Sequence, residues 1–347
     1  MLPKISGVFS EDIAIDLGTA NTLVHVVGRG IIIDEPSVIA VRTVLGEREM
    51  VAVGAEARRI FGVAPEPLEL LWPLRDGVIA DFVATEFMLR QFIRRARSTL
   101  NFRRPRILIS VPAGATPVER RAVIDTARNA GARVVQLIAE PVAALLGAGV
   151  PIHEAAGAMV VDIGGGTTDI AIVSRGRVIT ARSLRCAGNA MDDAIIRYIR
   201  RRHHLVVGEA SAERIKIEAG TASAQPNGWD ADIRIRGRDL RRGRLKTVVL
   251  GPRHVAEALD PPLSEITEFV QRALEEVPAE VAAGVCERGI VLTGGGALLD
   301  RLDHELSRRL GIPFTLAEDP MRCVINGTAA VLEHLTDNAH LLLSPDW

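Results

Sequence analysis

Met159-Val160-Val161-Asp162-Ile163-Gly164-Gly165-Gly166-Thr167-Thr168-Asp169, running on into Ile170-Ala171-Ile172-Val173, is the stretch that decides the fold. Two short apolar runs flank an Asp, three glycines and two threonines. That pattern reads as a β-hairpin with a glycine-bearing tip. The same order occurs earlier: Ile13-Ala14-Ile15 leads into Asp16-Leu17-Gly18-Thr19-Ala20-Asn21-Thr22 and a second apolar strand. One such hairpin alone is an ordinary tight turn. Two with matched order predict two related domains facing each other.

A glycine at the tip lets backbone N–H groups approach an anion without an intruding Cβ. Hydroxyl side chains add donors. An Asp at the strand end repels a phosphate. It makes sense beside a divalent cation, chiefly through water, because Mg2+ keeps several waters and takes few carboxylates. Two opposed hairpins, each with its Asp, are suited to grip a Mg-triphosphate from both sides. A third cluster, Thr293-Gly294-Gly295-Gly296-Ala297-Leu298-Leu299, follows an apolar strand and is expected to open a helix. Free N–H groups and the positive dipole end there hold phosphate, or bare backbone receives a flat adenine. No Gly-Lys-Ser/Thr follows, so this is not a Walker A loop, and the G-x-G-x-x-G spacing is absent. Glu140-Pro141 ends the apolar run 134–139 at a helix start. Two readings stand for Glu140: a carboxylate that complements the dipole, or one that orients or deprotonates a water attacking a γ-phosphate.

Working outward, short apolar runs alternate with helical patterns from end to end. Residues 13–15, 106–111, 159–163, 171–173 and 290–292 read as strands. Phe82, Met88, Leu89, Phe92 and Ile93 share one face of a helix after Asp81. Thr116-Pro117-Val118-Glu119 is a capping box with proline in the first turn, and Gly131 is the stop. Met191, Ala194, Ile195, Tyr198 and Ile199 mark another helix, as do Ile266, Phe269, Val270, Ala273 and Leu274. Strands alternating with helices predict α/β layers. Residues 200–250 read as an insertion, turn-rich at Ala224-Gln225-Pro226-Asn227-Gly228 and then alternating at Ile233-Arg234-Ile235-Arg236. A shorter one spans 33–75.

The 347 residues suit about two domains. With 42 Lys+Arg against 43 Asp+Glu the net charge is -1, which gives no electrostatic reason to bind nucleic acid. Aromatics at 3% exclude stacking platforms for single strands. Cys186, Cys286 and Cys323 form no C-x-x-C, so neither a disulfide framework nor a zinc knuckle is expected, and buried reduced thiols are. No apolar run reaches the roughly 18 residues of a membrane span. Residues 1–10 lack the apolar core of a signal peptide. A cytoplasmic location follows as the expectation.

Together these motifs resemble the actin and sugar-kinase ATPase superfamily, and more closely the MreB-type bacterial actins, over nearly the whole chain. The likeness rests on Asp16 to Thr22, Asp76-Gly77-Val78-Ile79-Ala80-Asp81, Val111-Pro112-x-Gly114-Ala115-Thr116, Glu119-Arg120-Arg121, Ala212-Glu213-Arg214-Ile215-Lys216, the run 292–299, Ala317-Glu318-Asp319-Pro320 and Asn326-Gly327-Thr328. It implies an α/β, actin-like ATPase fold of two related domains, each with a smaller subdomain, and the nucleotide in the cleft between them. The implied boundaries are 1–147, with a subdomain at 33–75 and a return of 326–347, and 148–325, with a subdomain at 184–247. The resemblance implies ATP and Mg2+ as ligands, slow hydrolysis, and homopolymer filaments on the inner face of the cytoplasmic membrane. Those filaments organise cell-wall synthesis and rod shape together with wall-elongation proteins. By position it assigns phosphate contact to Thr19, Ala20, Asn21, Gly164, Gly165 and Gly166. It assigns Mg2+ through water to Asp16 and Asp162, and the hydrolytic water to Glu140 and Thr167. Glu213 and Lys216 reach the ribose and base, with Gly294, Gly295, Gly296 and Ala297 beneath the adenine. Three positions depart from the pattern. Ala187-Gly188 stands where a glycine pair is usual, Ala139 where an acid precedes Glu140, and Asn189 where an acid is frequent. Ala187 adds a methyl where close backbone approach or positive φ is expected, which bears on turnover more than on ATP binding.

Leu100 and Phe102 sit among arginines in the stretch 98–105, a composition suited to an anionic membrane surface; the alternative is a loop packing its Phe into its own domain. Met1, Leu2, Ile5, Val8 and Phe9 offer a weaker amphipathic anchor. Arg234, Arg236, Arg238, Arg241, Arg242 and Arg244 make a basic stretch, read as a solvated face or as a filament or partner contact. The apolar tail, Leu341-Leu342-Leu343-Ser344-Pro345-Asp346-Trp347, is expected to dock on something. Two rival functions belong to the same superfamily: an actin-like switch that does not polymerise alone, and a small-molecule kinase, for which no acceptor-binding constellation is evident. A DnaK-type chaperone would need a further β-rich domain.

Overall fold

The computed structural model describes residues 12–44, 46–61, 68–97, 103–223 and 232–344. It divides into two units, Met1–Pro151 with Arg322–Trp347, and Ile152–Met321.

In the first unit, β1 (Asp12–Leu17) and β2 (Asn21–Val26) form the earlier hairpin, with Asp16 opposite Leu23 and Leu17 opposite Thr22. β3 (Gly30–Pro36) pairs on the far side of β2. β4 (Ile39–Val44), β5 (Glu47–Val53) and, after α1 (Gly54–Ile60), β6 (Glu69–Leu71) make a separate sheet in the order β5-β4-β6. The ribbon β7 (Leu74–Arg75) and β8 (Val78–Ile79) leads into α2 (Phe82–Ala96). Asp81 caps α2 by accepting from the Ala84 N–H at 2.9 Å. Met88, Leu89, Phe92 and Ile93 face the core, whereas Phe82, expected on that face, is 53% exposed: it is the first helical residue and lies off the buried stripe. β9 (Arg106–Val111), α3 (Pro117–Asn129) and β10 (Val134–Ala139) follow, then α4 (Glu140–Gly147). The capping box at Thr116 and Glu119 forms, and the helix ends before Gly131, whose φ is +120. β9 lies parallel to β1 and to β10, so helical crossovers are required between them.

The second unit repeats this plan. β11 (Ala158–Ile163), β12 (Thr168–Ser174) and β13 (Arg177–Leu184) are antiparallel, and α5 (Gly188–His203) follows. A small sheet of β14 (Leu205–Val206), β15 (Ile233–Asp239) and β16 (Leu245–Leu250) is joined by α6 (Glu209–Ala219). Then come α7 (Pro252–Glu275), α8 (Ala279–Arg288), β17 (Ile290–Thr293), a single 3-10 turn at Gly295–Leu298, α9 (Leu302–Leu310) and β18 (Phe314–Leu316). The chain returns to the first unit as α10 (Cys323–Glu333) and β19 (Leu342–Leu343).

The two main sheets run β19-β10-β9-β1-β2-β3 and β13-β12-β11-β17-β18. Leaving out β19, each is a three-strand antiparallel meander whose first strand also pairs parallel with a later strand, which in turn pairs parallel with another. The repeat read from two hairpins thus extends to five strands per unit. β19 pairs with β10 at Leu342 and Leu343 and covers its edge, which accounts for the apolar tail. Cys186 and Cys323 are buried thiols as expected, but Cys286 is exposed near the end of α8.

Candidate functional site

Each hairpin places one carboxylate at the last turns of a parallel-paired strand, and each carboxylate is held by a hydroxyl from the neighbouring strand. In the first unit Asp16 lies opposite Ser110 of β9, and Ser110 Oγ donates to Asp16 Oδ1 at 3.1 Å. In the second, Asp162 lies opposite Thr293 of β17, and Thr293 Oγ1 donates to Asp162 Oδ1 at 2.8 Å. The same register therefore produces the same acid–hydroxyl pair twice. Neither hydroxyl was assigned a role in the sequence: Ser110 is the next-to-last residue of β9, and Thr293, quoted with the glycine cluster, closes β17.

The tips are braced so that their N–H groups stay available. Ser37 Oγ donates to Gly18 O at 2.7 Å and its own N–H reaches Ala20 O at 2.9 Å. Thr22 Oγ1 lies 2.8 Å from Ser37 Oγ; the serine proton is committed to Gly18, so Thr22 is the donor. A Cβ on Gly18 would stand 2.7 Å from Asn21 O, which forces glycine at this turn. The Gly77 N–H donates to Thr19 Oγ1 at 2.9 Å, leaving the threonine proton to be given elsewhere. At the second tip the Gly164 N–H donates back to Thr167 O at 2.9 Å. The N–H groups of Thr19, Ala20, Gly165, Gly166 and Thr167 donate to no described residue. Clustered free N–H groups form a nest for an anion.

α5 is anchored on the second tip. Its first two N–H groups, of Gly188 and Asn189, donate to Gly164 O at 3.1 Å and Gly165 O at 2.8 Å. A Cβ on Gly188 would meet Gly164 O at 3.2 Å and Lys216 Nζ at 3.3 Å, so the close approach falls at Gly188. The preceding Ala187 is buried with φ -156, a conformation open to any L residue, so its methyl imposes no strain. Lys216, expected to reach a nucleotide, is held by Asp192 Oδ2 at 2.8 Å and Gly188 O at 2.9 Å. Burial pushes the Asp192 carboxyl up, against the pull of Lys216. Glu213, one helical turn before Lys216 on α6, is exposed.

The glycine cluster after β17 does not open an α-helix. Gly294, at φ +83, gives its N–H to Pro320 O at 2.8 Å, and the chain then makes only one 3-10 turn before α9. Its glycines are needed for close packing: a Cβ at Gly294 would lie 2.4 Å from Ile163 O, and one at Gly296 2.4 Å from Ile163 Cγ2. Gly295 has open space above it, and Ala297 is buried. Bare backbone beside the second hairpin is what remains of the expected helix-start site. Glu140 begins α4 directly after β10 and is 9% exposed, with Pro141 behind it in the first turn. Thr167 is 7% exposed. Leu100, Phe102 and the N-terminal apolar residues lie outside the described residues.

Asp16 keeps part of its surface open, yet the surrounding protein strips enough water that its carboxyl is pushed from 3.8 to about 6, with the Ser110 hydroxyl pulling it back. Folded protein therefore holds this proton more tightly than unfolded protein, and stability falls as pH rises through the window between those values. Asp16→Asn should stabilise the ligand-free protein at pH 7 by on the order of 1–3 kcal/mol, read as a higher melting temperature, and leave its stability unchanged near pH 3.5. A melting temperature that drops at pH 7 would refute that account. An acid kept at such a disadvantage suits a cation partner. Among the described residues no three His, Cys, Asp or Glu cluster, so a divalent cation here would be completed by water and phosphate oxygens.

A duplicated five-strand sheet, each copy carrying a glycine-tipped hairpin, defines an actin-like protein. The structure matches that of MreB 5 of Spiroplasma citri bound to AMPPNP with a TM-score of 0.87 at 34% identity, covering 95% of this chain and 98% of that one. The fold is also that of a MamK double helical filament subunit, TM-score 0.80 at 23% identity over 93% and 99% of the two chains. The chain belongs to the MreB/Mbl protein family, whose pattern it matches over residues 10–340. It is 48% identical to the cell shape-determining protein MreB of Escherichia coli (strain K12) over 96% of both proteins. It is 44% identical to the cell shape-determining protein Mbl of Bacillus subtilis (strain 168) over 94% of this chain and 97% of Mbl.

Proposed function

We propose that this protein determines cell shape as a nucleotide-driven bacterial actin: it binds and slowly hydrolyses Mg-ATP, polymerises, and the filaments lie on the inner face of the cytoplasmic membrane where they organise wall synthesis. The observation that carries the reading is the repeated acid–hydroxyl pair, Asp16 with Ser110 and Asp162 with Thr293, each beside a tip with free N–H groups. The reading is supported by family membership and by relatives named for cell shape or solved with AMPPNP and ADP.

In this reading the two units, 1–151 with 322–347 and 152–321, are the two domains, bounded within a few residues of the expected 1–147 with 326–347 and 148–325, and each hairpin binds phosphate. Thr19, Ala20 and Asn21, with Gly164, Gly165 and Gly166, bind the phosphates. Asp16 and Asp162 hold hydrated Mg2+, which when bound neutralises phosphate charge and screens the two carboxylates from it. Lys216 and Glu213 orient the ribose and base, and Gly294 to Ala297 give the adenine a backbone floor. Glu140 and Thr167 hold the attacking water, Glu140 taking its proton. Nucleotide-dependent closure would favour the polymerising conformation as a population shift.

Leu100 and Phe102 are the membrane contact. Fully burying two such side chains contributes at most ~3–6 kcal/mol, so a single subunit holds lipid weakly and a filament holds it by avidity. Sedimentation with anionic liposomes tests both claims. Mg-ATP should move the protein into the pellet with filaments on the lipid, and Phe102→Ser should abolish most of that pellet while nucleotide affinity stays within about twofold. ATP binding without any assembly on lipid would overturn the polymer reading in favour of a switch.

A further inference from the structure

In the second unit, the turn joining β15 to β16 and the end of α5 line an open cavity of about 500 Å³, formed by His204, Asp239, Arg241, Arg242, Arg244, Leu245 and Lys246. We propose that this cavity is a second anion site, selective for ligands carrying clustered phosphates.

Its charge is out of proportion to the chain. Residues 185–250 hold fourteen Lys and Arg against eight Asp and Glu, while the whole chain has a net charge of -1. Folding does not call for that excess. The small sheet is held by Ile233, Ile235 and Leu250 on its inner face, with Arg234, Arg236 and Arg238 turned outward. The one acid in the cavity is already engaged: Asp239 Oδ1 accepts the N–H groups of Arg241 at 2.7 Å and Arg242 at 3.3 Å, and those bonds hold its carboxyl below the usual range. It shapes the turn through backbone N–H groups and makes no side-chain hydrogen bond to a guanidinium, so one carboxylate, attracted to Arg242 and Lys246, stands against four cations.

The cations divide into two kinds. Arg241 donates to His204 Nε2 at 2.7 Å and Lys246 Nζ donates to His203 O at 3.2 Å, so both are pre-oriented by the end of α5. Arg242 and Arg244 make no side-chain hydrogen bond or ion pair among the described residues and are exposed at the rim. Four like charges within one hairpin turn repel each other, and a multiply charged ligand relieves all of them at once. Guanidinium forks match phosphate oxygens in pairs. Leu245 is the single apolar lining residue, so a peptide would find charge but no anchor pockets, of the kind that carry most interface energy.

Clustered phosphates reach the inside of a cell as soluble polyphosphates or as lipid headgroups, and two arms of one experiment separate them. The first titrates sodium tripolyphosphate, without divalent cation, into the full-length protein and the R242E/R244E variant. A second charge-reversed pair, R121E/R128E on α3, serves as a control of equal net charge. The phosphate hairpins contribute equally in all three, so the comparison isolates the cavity. The expected result is a component weakened at least tenfold in R242E/R244E and retained in the control. The second arm floats the same proteins with phosphatidylglycerol/phosphatidylcholine and pure phosphatidylcholine vesicles. Flotation lost only in R242E/R244E assigns the site to a headgroup; unchanged flotation beside weakened tripolyphosphate binding assigns it to a soluble ligand. Equal tripolyphosphate binding by wild type and R242E/R244E, equal loss in the control, or hexaglutamate binding as tightly as tripolyphosphate would each overturn the proposal, the last pointing to an acidic protein instead.

Discussion

Glu140→Gln is expected to reduce the rate of ATP hydrolysis by about 10²–10⁴-fold while nucleotide affinity changes by no more than a few-fold. Phosphoryl transfer to water leaves little covalent chemistry to the protein, so positioning and charge account for most of the rate. Glu140 is the first residue of α4, fixed on one side by β10 and on the other by Pro141, and nearly buried. In the proposed role its carboxylate accepts a proton from the attacking water, and an amide of the same shape cannot. Ala139 stands where the resemblance places a second acid, so Glu140 is the sole acidic residue in the first turn of α4. The glutamine keeps the volume and its carbonyl oxygen, and the carboxylate's interaction with the helix dipole that it gives up is about 0.3–1 kcal/mol, so the variant should stay folded. Single-turnover hydrolysis measured beside equilibrium nucleotide binding separates the two effects. Hydrolysis at the wild-type rate would remove Glu140 from the chemistry and leave it as a dipole-complementing residue.

Assembly should respond differently from hydrolysis in that variant. If closure over ATP favours the polymer and hydrolysis weakens it, blocking hydrolysis slows disassembly without preventing filament growth.

The hairpins were legible in the sequence because two independent signals coincided there: strand periodicity on both sides and glycine at the turn. The capping box at Thr116 was legible too, because local hydrogen bonding alone decides the structure there; the cap that Asp81 provides was not read from the sequence. What could not be read depended on register between distant strands. Ser110 and Thr293 become partners of Asp16 and Asp162 only because β9 and β17 pair parallel to β1 and β11 in a particular alignment, more than ninety residues away in each case. The glycine cluster at 294–296 misled for a related reason. Gly294 and Gly296 are required by packing against Ile163, a tertiary fact, and the helix that starts there is a single 3-10 turn, not an α-helix. Ala187 was expected to crowd the phosphate loop, yet the close contact belongs to its neighbour Gly188, one residue further along.

Gly327→Ala should destabilise the protein by about 3 kcal/mol, the upper end of overpacking losses, against the sign that helix propensity alone predicts. Gly327 lies inside α10, where alanine is favoured over glycine by about 1 kcal/mol. But α10 crosses α4 with the backbones touching. A Cβ on Gly327 would stand 1.8 Å from Ala143 O and 2.9 Å from Gly147 N, and a Cβ on Gly147 would stand 1.8 Å from Cys323 O. These are backbone atoms of two helices, so no side chain can swing aside and the helices must separate. Separation also loosens Val324, Ile325, Val331 and Leu332, all buried on α10. Because the clash is complete at the first added carbon, Gly327→Val should lose little more than Gly327→Ala, unlike an ordinary cavity where each methyl adds its share. Gly208→Ala is the control: that position is the N-cap of α6 with nothing within 4 Å and no positive φ, so it should lose only the glycine cap preference, about 1 kcal/mol or less. Thermal unfolding of the three variants decides the matter, and a stabilised Gly327→Ala would mean that the crossing is looser than the two glycines imply. Ala143 lies one turn from Glu140 on the same helix, so the same substitution should also lower hydrolysis, tying a packing contact at the back of the first unit to the carboxylate proposed to hold the attacking water.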